Sequence, residues 1–465
     1  MDAIGALVEL LGRERVRTHP LDLFIYAKDA GVSPGDPSVV VLPDSAEEVA
    51  AIVRIARSAG MPIGVRGAGT GLAGGAIPAA GSVLIVLTRM NEIFVVDEVG
   101  RTAWVGPGVV NLALSRALVS RGLHFAPDPA SQQAATIGGN VGTNAGGPHC
   151  LAEGSTIGHI LGMEVVTVDG EILEIGGAAP DPPGYDLRGL IVGSEGTLAI
   201  ATRILVRLTQ NPPNVETMLA AFTAIEDAAR TVSEIIADGL VPAALEMMDG
   251  PMVEAVENFI HAGLPVGAGA VLIAEVVGHA DGTAAEAALI RETAERNGAT
   301  EIRLAADDAE RELLWRGRKS AFGSIAQSAP DYYLADSVVP RTRFVDAVNE
   351  TYAIAERHGL RLMNIFHAGD GNFHPLVSYD ASEPGMTEKV VRASHEMIHA
   401  SLAVGGTLSG EHGIGVEKRD LMPEVFSADD LDAQARVREA FDPEGALNPG
   451  KVLPAGSRIV AGSGR

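Results

Sequence analysis

Three glycine-rich loops in the first half of the chain constrain its fold most strongly. They read RGAGTGLAGG from Arg66 to Gly75, PDPASQQAATIGGNVGTNAGG over 127–147, and VGSEGTL over 192–198. Glycine tolerates tight turns and close backbone approach, and loops that are also rich in Ser, Thr and Asn can aim several backbone N–H groups at one pyrophosphate. The sequence therefore predicts a loop-rich domain, in which the glycines either form tight turns alone or also bind a phosphate-containing ligand.

Helical and strand patterns alternate around these loops. Ser45 and Glu48 have the spacing of a capping box and precede a helical repeat of apolar residues. A further helix is expected from an Asn111 cap, a hairpin with an Asp-Gly turn over 165–175, and a strand over 200–208.

The pattern changes after Asn211-Pro212-Pro213, where Pro and Asn indicate a boundary. Two similar strand-helix-strand units follow, one beginning with MLAAF and the other with AVLIAEVV. Such a duplication predicts a separate domain with a ferredoxin-like sheet.

Charge and cysteine content exclude several functions. The chain carries 35 Lys and Arg against 60 Asp and Glu, a net charge of −25, which repels nucleic acid and anionic membrane surfaces. An anionic substrate therefore needs a local cluster of positive charge. The single cysteine, Cys150, excludes intramolecular disulfides and an iron–sulfur cluster held by this chain alone. Without a basic leader or a long apolar run, we expect a cytoplasmic chain with no direct membrane insertion.

Two short motifs concentrate titratable side chains among glycines. HAGDGNFH contains His367 and His374, and SGEHGIG contains Glu411 and His412. The Gly369-Asp370-Gly371 turn can fold His374 back across from His367, and two imidazoles with a carboxylate form a divalent metal site with open positions. The alternative is a pair of structural turns whose histidines cap the backbone.

A third motif, His395-Glu396-Met397-Ile398-His399, matches the HExxH pattern of zinc hydrolases. Its helical wheel places the apolar residues Val390, Met397 and Ile398 on the buried stripe, with His395 at its edge and His399 towards solvent. The zinc-hydrolase interpretation is therefore the weaker alternative.

Seven motifs in order resemble one family. Pro43 followed by Glu48 and Val49, the three glycine-rich loops, HAGDGNFH, SGEHGIG and NPGK are similar to the FAD-linked oxidases of the vanillyl-alcohol-oxidase superfamily. Within that family they resemble the branch that oxidises 2-hydroxy acids, which includes the catalytic subunits of glycolate oxidase and the D-lactate dehydrogenases. The resemblance implies an α+β fold: an FAD-binding domain of two subdomains, of the PCMH type, with a ferredoxin-like substrate cap.

The resemblance also implies domain limits and flavin contacts. We expect an N-terminal helical segment over 1–37, the FAD-binding domain over 38–210, the cap with the metal and catalytic motifs over 211–420, and a segment returning to the flavin over 421–465. FAD should be non-covalent, because Thr70 and Gly71 stand where some relatives carry a flavin-linking histidine. The residues expected to line FAD are Pro43, Arg66, Gly67, Ala68, Gly69, Thr70, Gly71, Leu72, Ala73, Pro127, Asp128, Thr136, Gly138, Gly139, Asn140, Gly146, Glu195, Gly196, Ile200, Asn448 and Lys451.

By the same resemblance, His367, His374 and Glu411 would hold zinc or manganese, His412 would be the catalytic base, and Arg318 would bind the substrate carboxylate. The implied reaction oxidises glycolate or D-lactate to the 2-oxo acid, with hydride passing to flavin N5. Relatives specific for 2-hydroxyglutarate place a lysine where this chain reads Tyr332-Tyr333-Leu334, which disfavours a dicarboxylate. A D-2-hydroxyglutarate-type dehydrogenase and a non-catalytic flavin-binding subunit remain as alternatives.

Reoxidation of the flavin needs an acceptor that this chain does not hold. The resemblance implies a second flavin-type subunit and an iron–sulfur subunit that passes electrons to quinone. We therefore expect the protein to meet a membrane only through such partners.

Overall fold

The computed structural model describes residues 2–179 and 183–457. The α-helices, in chain order, are α1 (Ala3–Leu11), α2 (Pro20–Tyr26), α3 (Ala46–Ser58), α4 (Asn111–Leu118), α5 (Ile137–Thr143), α6 (Cys150–Glu153), α7 (Leu187–Ile191), α8 (Ile225–Ala237), α9 (Gly250–Ile260), α10 (Ala280–Arg296), α11 (Asp308–Lys319), α12 (Ala321–Ile325), α13 (Phe344–Arg357), α14 (Met386–Ala403) and α15 (Ala428–Phe441). The strands are β1 (Val16–Arg17), β2 (Val39–Val41), β3 (Ile63–Arg66), β4 (Val83–Val86), β5 (Ile93–Asp97), β6 (Thr102–Val105), β7 (Leu123–His124), β8 (Ile160–Val166), β9 (Ile172–Gly176), β10 (Ile200–Arg207), β11 (Thr209–Gln210), β12 (Asn214–Phe222), β13 (Ala244–Asp249), β14 (Ala270–Gly278), β15 (Glu301–Leu304), β16 (Asp331–Leu334), β17 (Ser337–Val338), β18 (Arg361–His367) and β19 (Asn372–Tyr379).

The chain divides into two units that each have their own core. Unit 1 comprises the described residues of Met1–Gly146, Gly154–Asn211 and Glu411–Arg465, and unit 2 comprises Gly147–Glu153 and Pro212–Gly410. The last segment of unit 1 therefore begins at Glu411, whereas the sequence predicted a returning segment over 421–465.

Unit 1 contains two larger sheets. Strands β2, β4 and β3 are parallel, with β1 antiparallel at the edge, and the order is β1-β2-β4-β3. The second sheet is antiparallel, in the order β5-β6-β10-β8-β9, and includes the predicted hairpin of β8 and β9. The first glycine-rich loop follows β3, at the edge of its sheet, and the third precedes β10, the central strand of the second sheet.

Helix α3 confirms the start signal read from the sequence, with one difference. The Ser45 side chain accepts a hydrogen bond from the Glu48 backbone N–H at 3.3 Å, as a capping box requires. The Glu48 carboxylate does not complete the box, since it accepts from the Asp44 N–H at 2.7 Å and from the Arg15 guanidinium. Arg15, which is distant in sequence, therefore binds the Glu48 carboxylate that the capping-box pattern predicted would accept from the backbone of Ser45.

The predicted Asn111 cap was wrong. Val110 is the N-cap of α4, and Asn111 is the first helical residue, with its side-chain amide donating to the Pro127 carbonyl at 2.7 Å. The helix ends before Gly122, which has a positive φ after a short 3-10 turn. Asn111 therefore holds the start of the second glycine-rich loop instead of capping its own helix.

Unit 2 is built on one sheet of eight strands. Its path runs β15-β12-β14-β13-β18-β19-β16, and β17 pairs with β19. The antiparallel order β15-β12-β14-β13 is the ferredoxin-like arrangement predicted from the duplicated strand-helix-strand pattern. Strands β18 and β19 extend this sheet beyond β13, so the sheet is larger than the duplication alone indicated.

The two faces of this sheet carry different helices. Apolar residues of α8, α10 and α13 pack on one face with Leu245 and Met247, and residues of α9, α11 and α12 pack on the other with Ala244 and Met248. Alternate residues of a strand point to opposite faces, so Glu246 lies on the face covered by α9, α11 and α12. Among the described residues, no helix combines the length and hydropathy needed to cross a bilayer.

Candidate active site

The first two glycine-rich loops touch one another in unit 1. A Cβ atom on Gly67 would overlap the Thr136 hydroxyl, and one on Gly138 would stand 2.6 Å from Pro107 Cβ. Thr136 caps α5 by accepting from the Gly139 N–H at 3.2 Å. Glycine at position 67 is therefore required by close approach of the two loops, as the sequence indicated for these loops in general.

The third loop joins the C-terminal segment. Asn448 accepts from the Val65 N–H at 3.1 Å and donates to the Glu195 carbonyl at 2.7 Å, while Lys451 Nζ donates to Asn448 Oδ1 at 3.0 Å. Burial lowers the pKa of Lys451 to about 8, and burial raises the pKa of Glu195. Asn448 thus ties together β3, the third loop and the segment around Lys451.

The Glu195 side chain fixes a segment that also carries predicted catalytic residues. Its carboxylate accepts from the Ile414 N–H at 2.7 Å and from the Gly415 N–H at 2.9 and 3.0 Å. The Val416 N–H donates to the Ala73 carbonyl at 3.0 Å. The segment that follows Glu411 and His412 is therefore anchored on the first and third glycine-rich loops of unit 1.

Unit 1 has donors suited to a dinucleotide. The backbone N–H groups of residues 68–73 donate to no other group in the described part of the chain. The buried Asn140 Nδ2 likewise has no partner among the described residues, and Gly71 and Gly142 have open space beside Cα. Buried or clustered donors without a protein acceptor are what a pyrophosphate and a flavin ring would satisfy. The residues present therefore fit FAD.

Arg66 differs from the other expected flavin residues, because its guanidinium is already occupied by protein. It donates to the carbonyls of Tyr26 at 2.9 Å, Lys28 at 2.8 Å and Ala68 at 3.1 Å, and burial lowers its pKa. It shapes the first loop from within. The remaining expected residues also lie in unit 1, among them Pro43 after β2, Asp128, Gly146, Gly196 and Ile200 at the start of β10.

In unit 2 the hairpin of β18 and β19 brings His367 and His374 together. The Gly371 φ of 75° allows the tight turn. The register places Asn372 opposite His367 and His374 opposite Ile365, so His374 is a diagonal neighbour and not the direct partner that the sequence predicted. Their ring centroids are 5.1 Å apart, and each ring offers a nitrogen within 4.8 Å of the other. Both side chains are buried.

Glu246 of β13 was missed by the sequence analysis. Its carboxylate accepts from His367 Nδ1 at 2.8 and 3.0 Å and forms an ion pair of 2.5 Å with Arg318. Glu246 and Arg318 are each 1% exposed. The only signal in the sequence is an acid inside the apolar strand ALEMMD, which is a costly place for an unpaired charge.

Arg318 reaches Glu246 from α11. It also donates to the Phe366 carbonyl at 3.4 Å, and its Nε has no hydrogen-bond partner among the described residues. The predicted carboxylate-binding arginine therefore lies in the same buried cluster as the predicted metal ligand His367, and it retains an unused donor.

Asp336 is a second acid beside the histidines. A carboxylate oxygen lies 3.8 Å from His374 Nδ1, and the other accepts from the Ser409 hydroxyl at 2.6 Å and the Gly410 N–H at 3.0 Å. Glu411 and His412 follow Gly410 directly in the chain and are the first residues of the last segment of unit 1. The predicted metal set thus draws on both units and stays a prediction.

The HExxH motif lies on α14, as predicted, but its glutamate is engaged elsewhere. Glu396 accepts from His358 at 2.7 Å and from Arg357 at 2.5 Å. Among the described residues, neither His395 nor His399 belongs to a group of three side chains close enough to share an ion. The motif therefore does not form a zinc-hydrolase site here.

One unit with free N–H groups in glycine-rich loops and another with a ferredoxin-like sheet are typical of a flavin-dependent oxidoreductase. Two family models match consecutive parts of the chain. They are "FAD binding domain" over residues 37–176 and "FAD linked oxidases, C-terminal domain" over residues 211–452. The chain belongs to the FAD-linked oxidase family, and FAD is its cofactor.

Relatives agree with this assignment. The chain is 44% identical to the glycolate oxidase subunit GlcD of Escherichia coli (strain K12) over 90% of its length and 84% of that protein. It is 36% identical to the Bacillus subtilis (strain 168) protein of the same name over 99% of both chains. A D-lactate dehydrogenase of Archaeoglobus fulgidus is 34% identical over 89% of this chain and 91% of its own.

Solved structures show the same fold. A p-cresol methylhydroxylase with bound substrate aligns over 97% of this chain and 96% of its own, with a TM-score of 0.82 and 18% identity. A 4-ethylphenol oxidase from Gulosibacter chungangensis aligns over the same shares, with a TM-score of 0.78 and 23% identity. The predicted α+β fold of the PCMH type is confirmed.

Proposed function

We propose that this protein oxidises a small monocarboxylate 2-hydroxy acid, glycolate or D-lactate, to the 2-oxo acid. The observation that carries the proposal is the buried cluster of unit 2, in which Arg318, Glu246 and His367 are bonded and His374 lies beside them. Such a cluster would join an anion-binding arginine to two histidines that can ligate a metal ion. The names of the relatives, glycolate oxidase subunit and D-lactate dehydrogenase, support the substrate class.

Arg318 would bind the substrate carboxylate. Its Nε is buried and unpartnered among the described residues, whereas its terminal nitrogen is held by Glu246. A guanidinium presents its donors in a planar fork that matches a carboxylate. Because the fork is already oriented by Glu246, little side-chain entropy would be lost when the substrate binds.

His367, His374 and Glu411 would hold a divalent cation, zinc or manganese. Two neutral imidazoles and one carboxylate suit such an ion and leave positions open for substrate. The His367 Nδ1 bond to Glu246 is the outer contact that metal-bound histidines generally make. The cation would supply Lewis-acid chemistry, lowering the pKa of the substrate hydroxyl, and positive charge that the chain as a whole lacks.

His412 would take the hydroxyl proton as the general base. Its loop is held two residues later, where the Ile414 and Gly415 N–H groups donate to Glu195. This anchorage fixes the His412 backbone relative to the glycine-rich loops of unit 1. Bound FAD supplies the acceptor for the hydride that leaves the substrate Cα.

The preference for a monocarboxylate rests on the resemblance to the family. Tyr332 and Tyr333, on β16, stand in the sequence where relatives specific for 2-hydroxyglutarate place a lysine. Burial raises the pKa of Tyr332, so this side chain remains neutral at physiological pH. A dicarboxylate would therefore leave one anionic group without a cation.

Reduced flavin would pass its electrons to partner subunits. One cysteine cannot ligate an iron–sulfur cluster, so a second flavin-type subunit and an iron–sulfur subunit leading to quinone would complete the reaction. The word subunit in the names of the GlcD relatives supports an assembly of this kind.

The test is anaerobic flavin reduction with a panel of acids: glycolate, D-lactate, L-lactate and D-2-hydroxyglutarate. Loss of flavin absorbance with glycolate or D-lactate, and far slower loss with D-2-hydroxyglutarate, is expected. Metal analysis of the same sample should give about one zinc or manganese per flavin. A flavin that none of these acids reduces would contradict the proposed function.

A further inference from the structure

Glu246 binds two partners of different kinds. One is the imidazole of His367, at 2.8 and 3.0 Å, and the other is the guanidinium of Arg318, at 2.5 Å. The three residues come from β13, β18 and α11 and are separated widely in sequence. With 1% of Glu246 exposed, water cannot replace either contact.

The contact with His367 selects one nitrogen of the ring. A carboxylate only accepts hydrogen bonds, so Nδ1 carries a proton, and in the neutral ring the lone pair is then on Nε2. The cross-strand pairing of Glu246 with His367 fixes the ring orientation through the sheet register. Glu246 thereby prepares Nε2 for a metal ion, which takes only an unprotonated nitrogen.

The contact with Arg318 fixes the guanidinium plane. Helix α11 carries Arg318 to the sheet, and the bond to Glu246 with the donation to the Phe366 carbonyl holds one terminal nitrogen. The Nε donor keeps no partner among the described residues. A single carboxylate therefore orients both the proposed cation ligand and the proposed anion receptor.

We infer that Glu246 is a positioning residue that couples metal binding to binding of the substrate carboxylate. This inference rests on the proposed function of the same site. Glu246 also neutralises the charge of Arg318 within the cluster. Without Glu246, the guanidinium would lose its buried counter-ion and keep only its bond to the Phe366 carbonyl.

The test is Glu246→Gln in the FAD-loaded protein. The amide keeps the shape but loses the negative charge and one of the two accepting oxygens, so His367 and Arg318 must share one neutral oxygen and neither bond is made to a carboxylate. Zn²⁺ affinity is measured by equilibrium dialysis after chelator treatment, and flavin reduction by glycolate is measured at saturating metal. We expect Kd for Zn²⁺ to rise about 10- to 100-fold, the range seen when such outer contacts to metal ligands are lost. We also expect KM for glycolate to rise at least tenfold.

Glu275→Gln is the matched control. Glu275 is a buried glutamate on the neighbouring strand β14, and it accepts from Thr217 and Trp315 at 2.6 Å. It contacts neither Arg318 nor the histidine pair in these bonds. Its variant should leave the Zn²⁺ Kd and the glycolate KM within about threefold of wild type, even if its thermal stability falls.

The outcomes separate the two claims. Wild-type protein that binds no Zn²⁺ would overturn the proposed metal site, and the inference with it. Wild-type protein that binds Zn²⁺, with an unchanged Kd and KM in Glu246→Gln, would overturn the inference alone. If Glu246→Gln does not fold, Glu246→Asp serves, since the shorter acid cannot reach both partners; unchanged Kd and KM in that variant would also overturn the inference.

Discussion

The ion pair between Arg318 and Glu246 can be tested by its effect on stability. Both side chains are 1% exposed, and their charged atoms are 2.5 Å apart. Replacing Arg318 by Met strands a buried carboxylate, and removing one partner of a buried pair costs about 3 to 5 kcal/mol. Because His367 continues to donate to Glu246, we expect the lower end, a loss of about 3 kcal/mol in the free energy of unfolding of unit 2.

The double variant provides the decisive comparison. Arg318→Met combined with Glu246→Gln leaves no stranded charge, so its destabilisation should be less than the sum of the two single changes by at least about 1.5 kcal/mol. This difference measures the interaction between Arg318 and Glu246, because disruption of core packing by either substitution alone would add in the double variant.

The unfolding of unit 2 can be monitored separately from that of unit 1. It contains two tryptophans, Trp104 in unit 1 and Trp315 in unit 2. In a Trp104→Phe background, urea unfolding followed by tryptophan fluorescence reports on unit 2. Single variants within about 1 kcal/mol of wild type, with additive effects in the double variant, would refute the buried pair.

Three further predictions concern other groups. His412→Ala should slow anaerobic flavin reduction by glycolate at least about 100-fold, the usual contribution of a general base; an unchanged rate would contradict the base assignment. Asn140→Ala should weaken FAD binding about tenfold in a fluorescence titration, because its buried Nδ2 has no partner among the described residues; an unchanged Kd would remove Asn140 from the flavin site. Burial raises the pKa of Asp249 to about 6, so the folded state prefers the protonated acid, and the stability that this group adds is present below its unfolded pKa of about 4 and lost as pH rises through about 6. Relative to Asp249→Asn, wild type should therefore lose up to about 3 kcal/mol of unfolding free energy between pH 4 and 7, by urea titration; parallel pH profiles would contradict this.

Local features of this fold were predictable from sequence. The Gly369-Asp370-Gly371 turn lies between its two strands, and the two histidines that the hairpin brings together, His367 and His374, are only seven positions apart in sequence. The ferredoxin-like order of β12 to β15 likewise follows from a repeated pattern of strand and helix. Turns and periodic patterns depend on residues that are close in sequence, so these features can be predicted without knowing which distant residues they contact.

The features that could not be predicted depend on distant contacts. Glu246 and His367 are 121 residues apart in sequence, and they meet only because β18 joins the ferredoxin-like sheet beside β13. Arg66 donates to the Tyr26 and Lys28 carbonyls of the N-terminal segment, and Asn111 donates to Pro127. In each case a side chain that looked like a ligand contact or a helix cap satisfies distant backbone or a buried acid, which no local pattern reveals.

The proposed metal-assisted oxidation is tested most directly by the rate of anaerobic flavin reduction by glycolate and D-lactate before and after metal removal. We expect chelator treatment to slow reduction at least about 100-fold without releasing FAD, and zinc or manganese to restore the rate. If the flavin is reduced equally fast with and without bound metal, the histidine pair and the paired arginine do not activate the substrate through a metal ion.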